Sequence, residues 1–177
     1  MKTKIIKINL QNPPSNIIQQ AAAILRKGGV VILATDTVYG LSALAKNRKA
    51  IKRIYKIKGR KKNLPLPVFC ASVTQVQKIV GKISPPAQKL IRQFWPGALT
   101  IVFPGFNPEF SHLAYKNKIG IRISKSPLVS KILKKIKEPL IATSANLSGE
   151  GEIRSGNEAI AIFNNKVDLI LDAGDLK

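Results

Sequence analysis

Leu140-Ile141-Ala142-Thr143-Ser144-Ala145-Asn146-Leu147-Ser148-Gly149 is the stretch on which the fold turns. Pro139 to Ala142 form a short apolar run. Runs of this length, with β-branched residues and turn signals behind them, read as buried strands. The residues that follow are small and rich in hydrogen-bonding groups. In open α/β sheets, ligands bind beyond the carboxyl ends of strands. The loop from Thr143 is therefore a candidate half-site, and the rest of the chain is expected to bring charge to it.

Working outward, a second strand end has the same character. Val30-Val31-Ile32-Leu33-Ala34 is continuously apolar and stops at Thr35-Asp36-Thr37-Val38-Tyr39-Gly40. Before it, Thr3 to Leu10 alternates as a first strand. Ser15 reads as an N-cap for a helix carrying Ile17, Ile18, Ala21, Ala22 and Leu25 at helical spacing. Lys46 to Lys62 holds ten Lys and Arg and no acid. Its Ala50, Ile51, Ile54 and Tyr55 share one face, so a basic amphipathic helix is expected there. Leu64 to Cys70 leads into a strand with an irregular start. Ser72 and Ser84 open two helices, the second reaching Phe94, and Trp95-Pro96-Gly97 is a tight connection. Leu99 to Phe103 and Ile119 to Ile123 read as strands joined by a polar loop. Ser126 caps a helix to Lys137, Ser155 caps another to Phe163, and Val167 to Leu171 is a last strand. Helices and strands alternate without repeat or linker. The expectation is a single α/β domain over residues 1–177, a twisted mixed sheet flanked by helices.

The length of 177 residues suits one domain with a real core. Nothing approaches the ~20 apolar residues of a membrane span, and the N-terminus lacks the apolar core of a signal peptide. A single cysteine, Cys70, excludes an internal disulfide framework. A cytoplasmic protein without a membrane partner is expected. The net charge of +21 is unevenly placed: residues 1–137 hold 27 Lys and Arg against two acids, Asp36 and Glu109. Residues 138–177 hold three bases against seven acids. Two readings stand. The basic body faces anionic partners, or it reflects the Lys-rich composition of an AT-rich genome. The acidic tail is read as solvating the last helix and strand.

The familiar catalytic engines are missing. There is neither a Walker-type phosphate loop nor Gly-x-Gly-x-x-Gly. His112, the one histidine, reads as a surface loop residue, and Cys70 as a buried, inert thiol. Fixed cations and hydroxyls remain. Lys58-Gly59-Arg60 closes the basic helix and reads either as a solvated helix end or as an anion contact. Arg122 alternates with Ile119, Ile121 and Ile123 in a half-buried strand and needs an anion. Asp36 or Glu109 could supply it, or a ligand carboxylate or phosphate held bidentately. Cations and donors without a nucleophile suit phosphoryl or nucleotidyl transfer, where positioning and charge neutralisation carry catalysis.

Thr35 to Leu41, Lys58-Gly59-Arg60, Pro65-Leu66, Trp95-Pro96-Gly97 with Leu99-Thr100, Ile121-Arg122 and Thr143 to Gly149 stand together in one order. In this the chain resembles the YrdC/TsaC family of threonylcarbamoyl-AMP synthases, from about Gly28 to Gly174. The resemblance implies a YrdC-like sheet around a positively charged central cavity. It implies joining of L-threonine, bicarbonate or CO2 and ATP into threonylcarbamoyl-adenylate, with release of diphosphate. A threonylcarbamoyl transferase complex would then modify the adenosine beside the anticodon of tRNAs reading codons that begin with A. By the family pattern, Thr37, Arg122 and Ser144 hold threonine. Lys58, Arg60, Lys118, Asn146 and Arg154 face ATP, with electrostatic roles for Lys58 and Arg60 and Mg²⁺ on the triphosphate rather than on protein side chains. Ala34 stands where the family has Pro, and Phe69 where longer members have His. The Ser-Thr segment that closes over the substrates in longer relatives does not follow Gly174, so a truncated end or a more open pocket is expected. The contrasting expectation is a non-catalytic RNA-binding protein using the basic helix 46–62, with direct tRNA contact open under either. A related carbamoyl-adenylate domain of hydrogenase-maturation proteins would bring Cys-rich zinc motifs, which this sequence lacks.

Overall fold

Apolar runs too short for helices must pair as strands, and here they build one sheet. The computed structural model describes residues 2–61 and 64–176. Its eight strands are β1 (Lys4–Lys7), β2 (Val31–Ala34), β3 (Tyr39–Leu44), β4 (Val68–Phe69), β5 (Ile101–Pro104), β6 (Lys118–Arg122), β7 (Leu140–Ser144) and β8 (Leu169–Asp172). They lie in the order β1-β8-β2-β3-β7-β4-β6-β5. Parallel pairs (β1 with β8, β2 with β8, β4 with β6) mix with antiparallel ones. Every residue of β2, β3 and β8 is buried, which is why these runs carry no polar alternation.

Six helices flank the sheet: α1 (Ser15–Arg26), α2 (Arg48–Lys58), α3 (Val73–Val80), α4 (Pro85–Phe94), α5 (Pro127–Ile136) and α6 (Gly156–Phe163). The apolar stripe of α1 (Ile18, Ala21, Ala22, Leu25) packs with α5, whose Leu128, Val129, Ile132, Leu133 and Ile136 are buried. Arg26 Nη2 ties the pair by donating to Lys135 O at 2.7 Å. In α2 the apolar positions Ala50, Ile51 and Ile54 are buried, and Lys58 follows them on that face. Asn47 caps α2, its Oδ1 accepting from Ala50 N at 3.0 Å. Gly59 ends it in the left-handed conformation, φ 61°.

Several expectations need correction. The strand β3 has no counterpart in the sequence reading. Its Gly40 and Ser42 break the β-branched pattern, and pairing with β2 and β7 on either side makes it a strand. Pro14, not Ser15, occupies the N-cap of α1. Ser84, Ser126 and Ser155 sit at N-caps but make no side-chain cap bond. Ser126 Oγ instead donates to Ala34 O at 3.0 Å, fixing the start of α5 to the end of β2. The basic helix spans Arg48–Lys58, shorter than residues 46–62, and residues 62 and 63 lie outside the described residues. The loop between β5 and β6 contains a 3₁₀ turn, Pro108–Leu113. It holds His112 half-buried with Nε2 2.8 Å from Ala45 O, so this histidine braces the loop rather than facing solvent. Nor is the acidic tail merely solvating. Asp172 is buried, and Asp168 Oδ2 pairs with Arg53 Nη1 at 2.5 Å. Cys70 is buried as expected, and burial pushes its thiol up to about 12.

Candidate active site

The hairpin between β2 and β3 turns through Thr35-Asp36-Thr37-Val38. Thr35 Oγ1 donates to Val38 O at 2.6 Å and accepts from Thr37 N and Val38 N at 3.1 Å each. A Ser/Thr side chain that closes its own turn frees the next residue to face outward. Next to it, Gly40 of β3 pairs with Ser144 of β7, which sets the hairpin beside the Thr143–Gly149 loop. Added to these, Phe69 pairs with Arg122 in the parallel β4–β6 ladder.

A cavity of about 160 Å³ lies between these strand ends. Thr37, Arg122 and Ser144 all line it, with Phe69, Thr100 and Glu152. It is smaller than the ~300–1,000 Å³ of drug-sized sites and suits a small metabolite. Arg122 is held from three sides. Its Nε donates to Gly97 O at 2.9 Å, its guanidinium carbon lies 5.4 Å from the Phe69 ring centre, and Nη2 is 2.9 Å from Asp36 Oδ2. The last contact is an ion pair by distance without a well-aligned hydrogen bond, and Nη2 is buried with no hydrogen-bond partner. Asp36 also accepts from the Ser124 hydroxyl. Burial raises its carboxyl, but the Ser124 bond and the Arg122 charge outweigh burial and hold it below the usual range. The scarcity of acids thus resolves to Asp36 as the partner of Arg122, while Glu109 pairs with Lys46 at 2.8 Å.

Lys58 reaches the same loop from the end of α2. It is buried, 2% exposed. Its Nζ donates to Ser144 O at 2.5 Å and to Asn146 O and Asn146 Oδ1 at 2.8 Å each. Three donors meet three acceptors, so the ammonium is saturated. Ser144 Oγ donates to Asn146 Oδ1 at 2.6 Å, Asn146 Nδ2 donates to Glu150 O at 2.6 Å, and Ser148 N donates to Lys58 O at 2.8 Å. Burial first, and the Arg60 charge second, push the Lys58 ammonium down to about 8. Lys58 therefore staples the loop. The neither-solvated-nor-free placement was visible in part: Ile51, Ile54 and Lys58 fall at helical spacing on one face.

Beyond Pro67 and Thr100, which line both spaces, a wider cleft of about 460 Å³ opens along β5 and β6. Pro65, Val102, Tyr115, Lys116 and Lys118 line it. Arg60 lies over its edge, with Nη2 donating to Pro65 O at 3.2 Å and Nε to Leu64 O at 3.4 Å. Arg154 is exposed and lines neither space; its carbonyl accepts from Leu176 N at 2.8 Å. Lys118 thus lines the cleft with Arg60 at its edge, while Lys58 and Asn146 line neither space and touch the small cavity's wall through their bonds to Ser144. Sequence reasoning missed Glu152 and Tyr115, and neither carries a spacing signal. Among the described residues, no three His, Cys, Asp or Glu side chains gather as a metal site. No described helix is long and apolar enough to cross a membrane.

The family model Sua5/YciO/YrdC, described as telomere recombination, matches residues 23–177. The chain belongs to the Sua5/YciO/YrdC family. It is 37% identical over 161 residues to the threonylcarbamoyl-AMP synthase of Bacillus subtilis, covering 89% of this chain and 46% of that protein. The Vibrio vulnificus threonylcarbamoyl-AMP synthase is 34% identical over 158 residues, covering 87% of this chain and 84% of that one. Among solved Sua5/YciO/YrdC structures, Pyrococcus abyssi Sua5 complexed with L-threonine superposes with a TM-score of 0.89 at 31% identity. That match covers 98% of this chain and 51% of the Pyrococcus chain. The chain thus spans about half the length of the Bacillus and Pyrococcus relatives it matches. The mixed twisted sheet flanked by helices is the family architecture.

Proposed function

We propose that this chain is a threonylcarbamoyl-AMP synthase, a nucleotidyltransferase acting on L-threonine, bicarbonate and ATP. The observation that carries the reading is the pairing of two unlike spaces across Pro67 and Thr100. The small one offers a guanidinium and hydroxyls, the complement of a hydroxylated amino acid. The large one offers apolar walls and cations, the complement of a nucleotide. Relatives named for this activity and a threonine-bound Sua5 support it.

In this reading Arg122 takes the threonine carboxylate, and Thr37 and Ser144 bond its polar groups. The threonine amine and bicarbonate give a carbamate and water. A carbamate oxygen then attacks the α-phosphorus, the bond from that phosphorus to the bridging oxygen breaks, and diphosphate leaves. Two anions must meet, so fixed cations lower the barrier by charge neutralisation. Arg60 and Lys118 serve this at the phosphate side, and Arg154, which lines neither space, joins them only by swinging its exposed side chain in from the loop before α6. Lys58 and Asn146 hold the wall between the substrates, and Lys58 reaches a phosphate only by giving up one of its three bonds. Mg²⁺ bound by the triphosphate would neutralise phosphate charge.

The exposed Arg48, Lys49, Lys52 and Lys56 of α2 suit direct tRNA contact and hand-over to a threonylcarbamoyl transferase complex. The decisive assay is diphosphate release. It is expected to require threonine, bicarbonate and ATP together, and to fall at least tenfold in Arg60→Ala and Ser144→Ala. Full release by both variants, or tight RNA binding without any response to threonine, would overturn the reading.

A further inference from the structure

Glu152 is a carboxylate that lines the small cavity. Among the described residues it is the only acidic side chain lining that cavity, as Arg122 is the only basic one. The two do not pair: Arg122 is engaged by Asp36, and Glu152 makes no hydrogen bond or ion pair among the described residues. What sets it apart from the other acids is the cavity it lines, with Arg122 in the same lining. Its backbone is nevertheless fixed. Two residues before it, Glu150 O accepts from Asn146 Nδ2 at 2.6 Å; one residue after it, Ile153 O accepts from Tyr39 N at 2.9 Å, with Ile153 buried. Glu152 is thus presented to the cavity from a segment pinned on both sides.

A cavity with one fixed cation and one unpaired anion is the complement of a zwitterion. We infer that Glu152 is a specificity residue that holds the α-ammonium of the amino acid, opposite the carboxylate held by Arg122. The inference rests on the threonine reading above and adds the group that distinguishes an amino acid from a hydroxy acid. A lining with one carboxylate among the described residues suits an ammonium better than a divalent cation, which takes several oxygen ligands.

The test is calorimetric titration of wild type and Glu152→Gln with L-threonine, with (R)-3-hydroxybutanoate, which keeps the carboxylate and hydroxyl but lacks the amine, and with magnesium–ATP. Because Glu152 is exposed, the variant keeps its fold, which circular dichroism checks. Glu152→Gln is expected to weaken threonine about 10- to 100-fold, the scale of a lost charge-assisted hydrogen bond. The affinity for (R)-3-hydroxybutanoate should stay within twofold. Equal weakening of both ligands would make Glu152 a loop brace and overturn the inference. So would unchanged threonine affinity, including the case where magnesium–ATP alone weakens and Glu152 is a metal ligand. Absence of threonine binding by the wild type would instead overturn the threonine reading itself, and this inference with it.

Discussion

The two spaces that meet at Pro67 and Thr100 are built on opposite principles. The small cavity is backed by polar groups that hold one another: Lys58 bonds Ser144 and Asn146, and Asp36 pairs with Arg122, whose Nη2 keeps no aligned hydrogen bond. Networks of this kind are costly when broken and therefore hold geometry. The wide cleft is walled by exposed apolar residues, with Val102 58% and Tyr115 45% exposed, and by lysines that solvent already serves. On the function proposed above, the difference separates a substrate selected by shape from one selected by area. A small amino acid needs fixed donors at fixed places. A nucleotide carries its own large aromatic and anionic surface and needs only a platform.

The largest effect is expected at the staple. Lys58→Met removes the donor shared by Ser144 O, Asn146 O and Asn146 Oδ1, of which Asn146 Oδ1 keeps its bond from Ser144 Oγ, and should cost about 3 kcal/mol of stability. Both ligands should bind more weakly, since the loop serves both. Urea denaturation reads the first, calorimetry the second. Unchanged stability would mean that Lys58 is a spare cation and that the two spaces are built alike.

Asp36→Asn should come next. It removes the charge that orients Arg122 and is expected to cost about 2 kcal/mol, reduced from the fully buried case by residual exposure. Threonine affinity should fall about tenfold while ATP stays within twofold. Because the folded carboxyl lies below its ordinary 3.8, the stability it contributes is full above that pH. That contribution is lost as pH falls through the folded value, so an acid titration of Asp36→Asn should show a smaller loss than wild type.

Much of this contrast was legible in the residues and part of it was not. The polar strand ends at Thr35 and Thr143 stand out in the residues, and although Thr35 itself closes its turn, the two ends do meet at one cavity. The scarcity of acids pointed Arg122 toward a ligand anion, whereas in the structure Asp36, one of the two acids available, pairs with it. The strand β3 was hidden because Tyr39-Gly40-Leu41-Ser42-Ala43-Leu44 lacks alternation; its partners, not its propensities, make it a strand. The role of Lys58 was masked by the nine other cations around it, although its spacing from Ile54 put it on the buried face. Glu152 had no local signal at all, because its importance depends on which cavity the chain folds it against.

A smaller effect separates the spaces from the other side. Tyr115→Ala should weaken ATP about 5- to 10-fold, the lower range for losing a base-stacking aromatic, and leave threonine unchanged. A loss of threonine binding in this variant would merge the two spaces into one site. The smallest effect is a shift in pH. Threonine affinity should decline as pH rises through about 8, where Lys58 gives up its proton and one donor of its staple. Arg60→Gln removes the lesser of the two causes and should move that midpoint upward by a fraction of a unit. Global stability has the opposite sign. The unfolded lysine keeps its proton up to 10.5, so this group's contribution is full above that pH and lost as pH falls through about 8.

Calorimetric titration of L-threonine into the protein, with and without ATP, tests the account most directly. Adjoining spaces for the two substrates predict that threonine binds alone, tighter than serine, and tighter still when ATP is present. Threonine binding that is absent, or that ATP abolishes by competition, would contradict it.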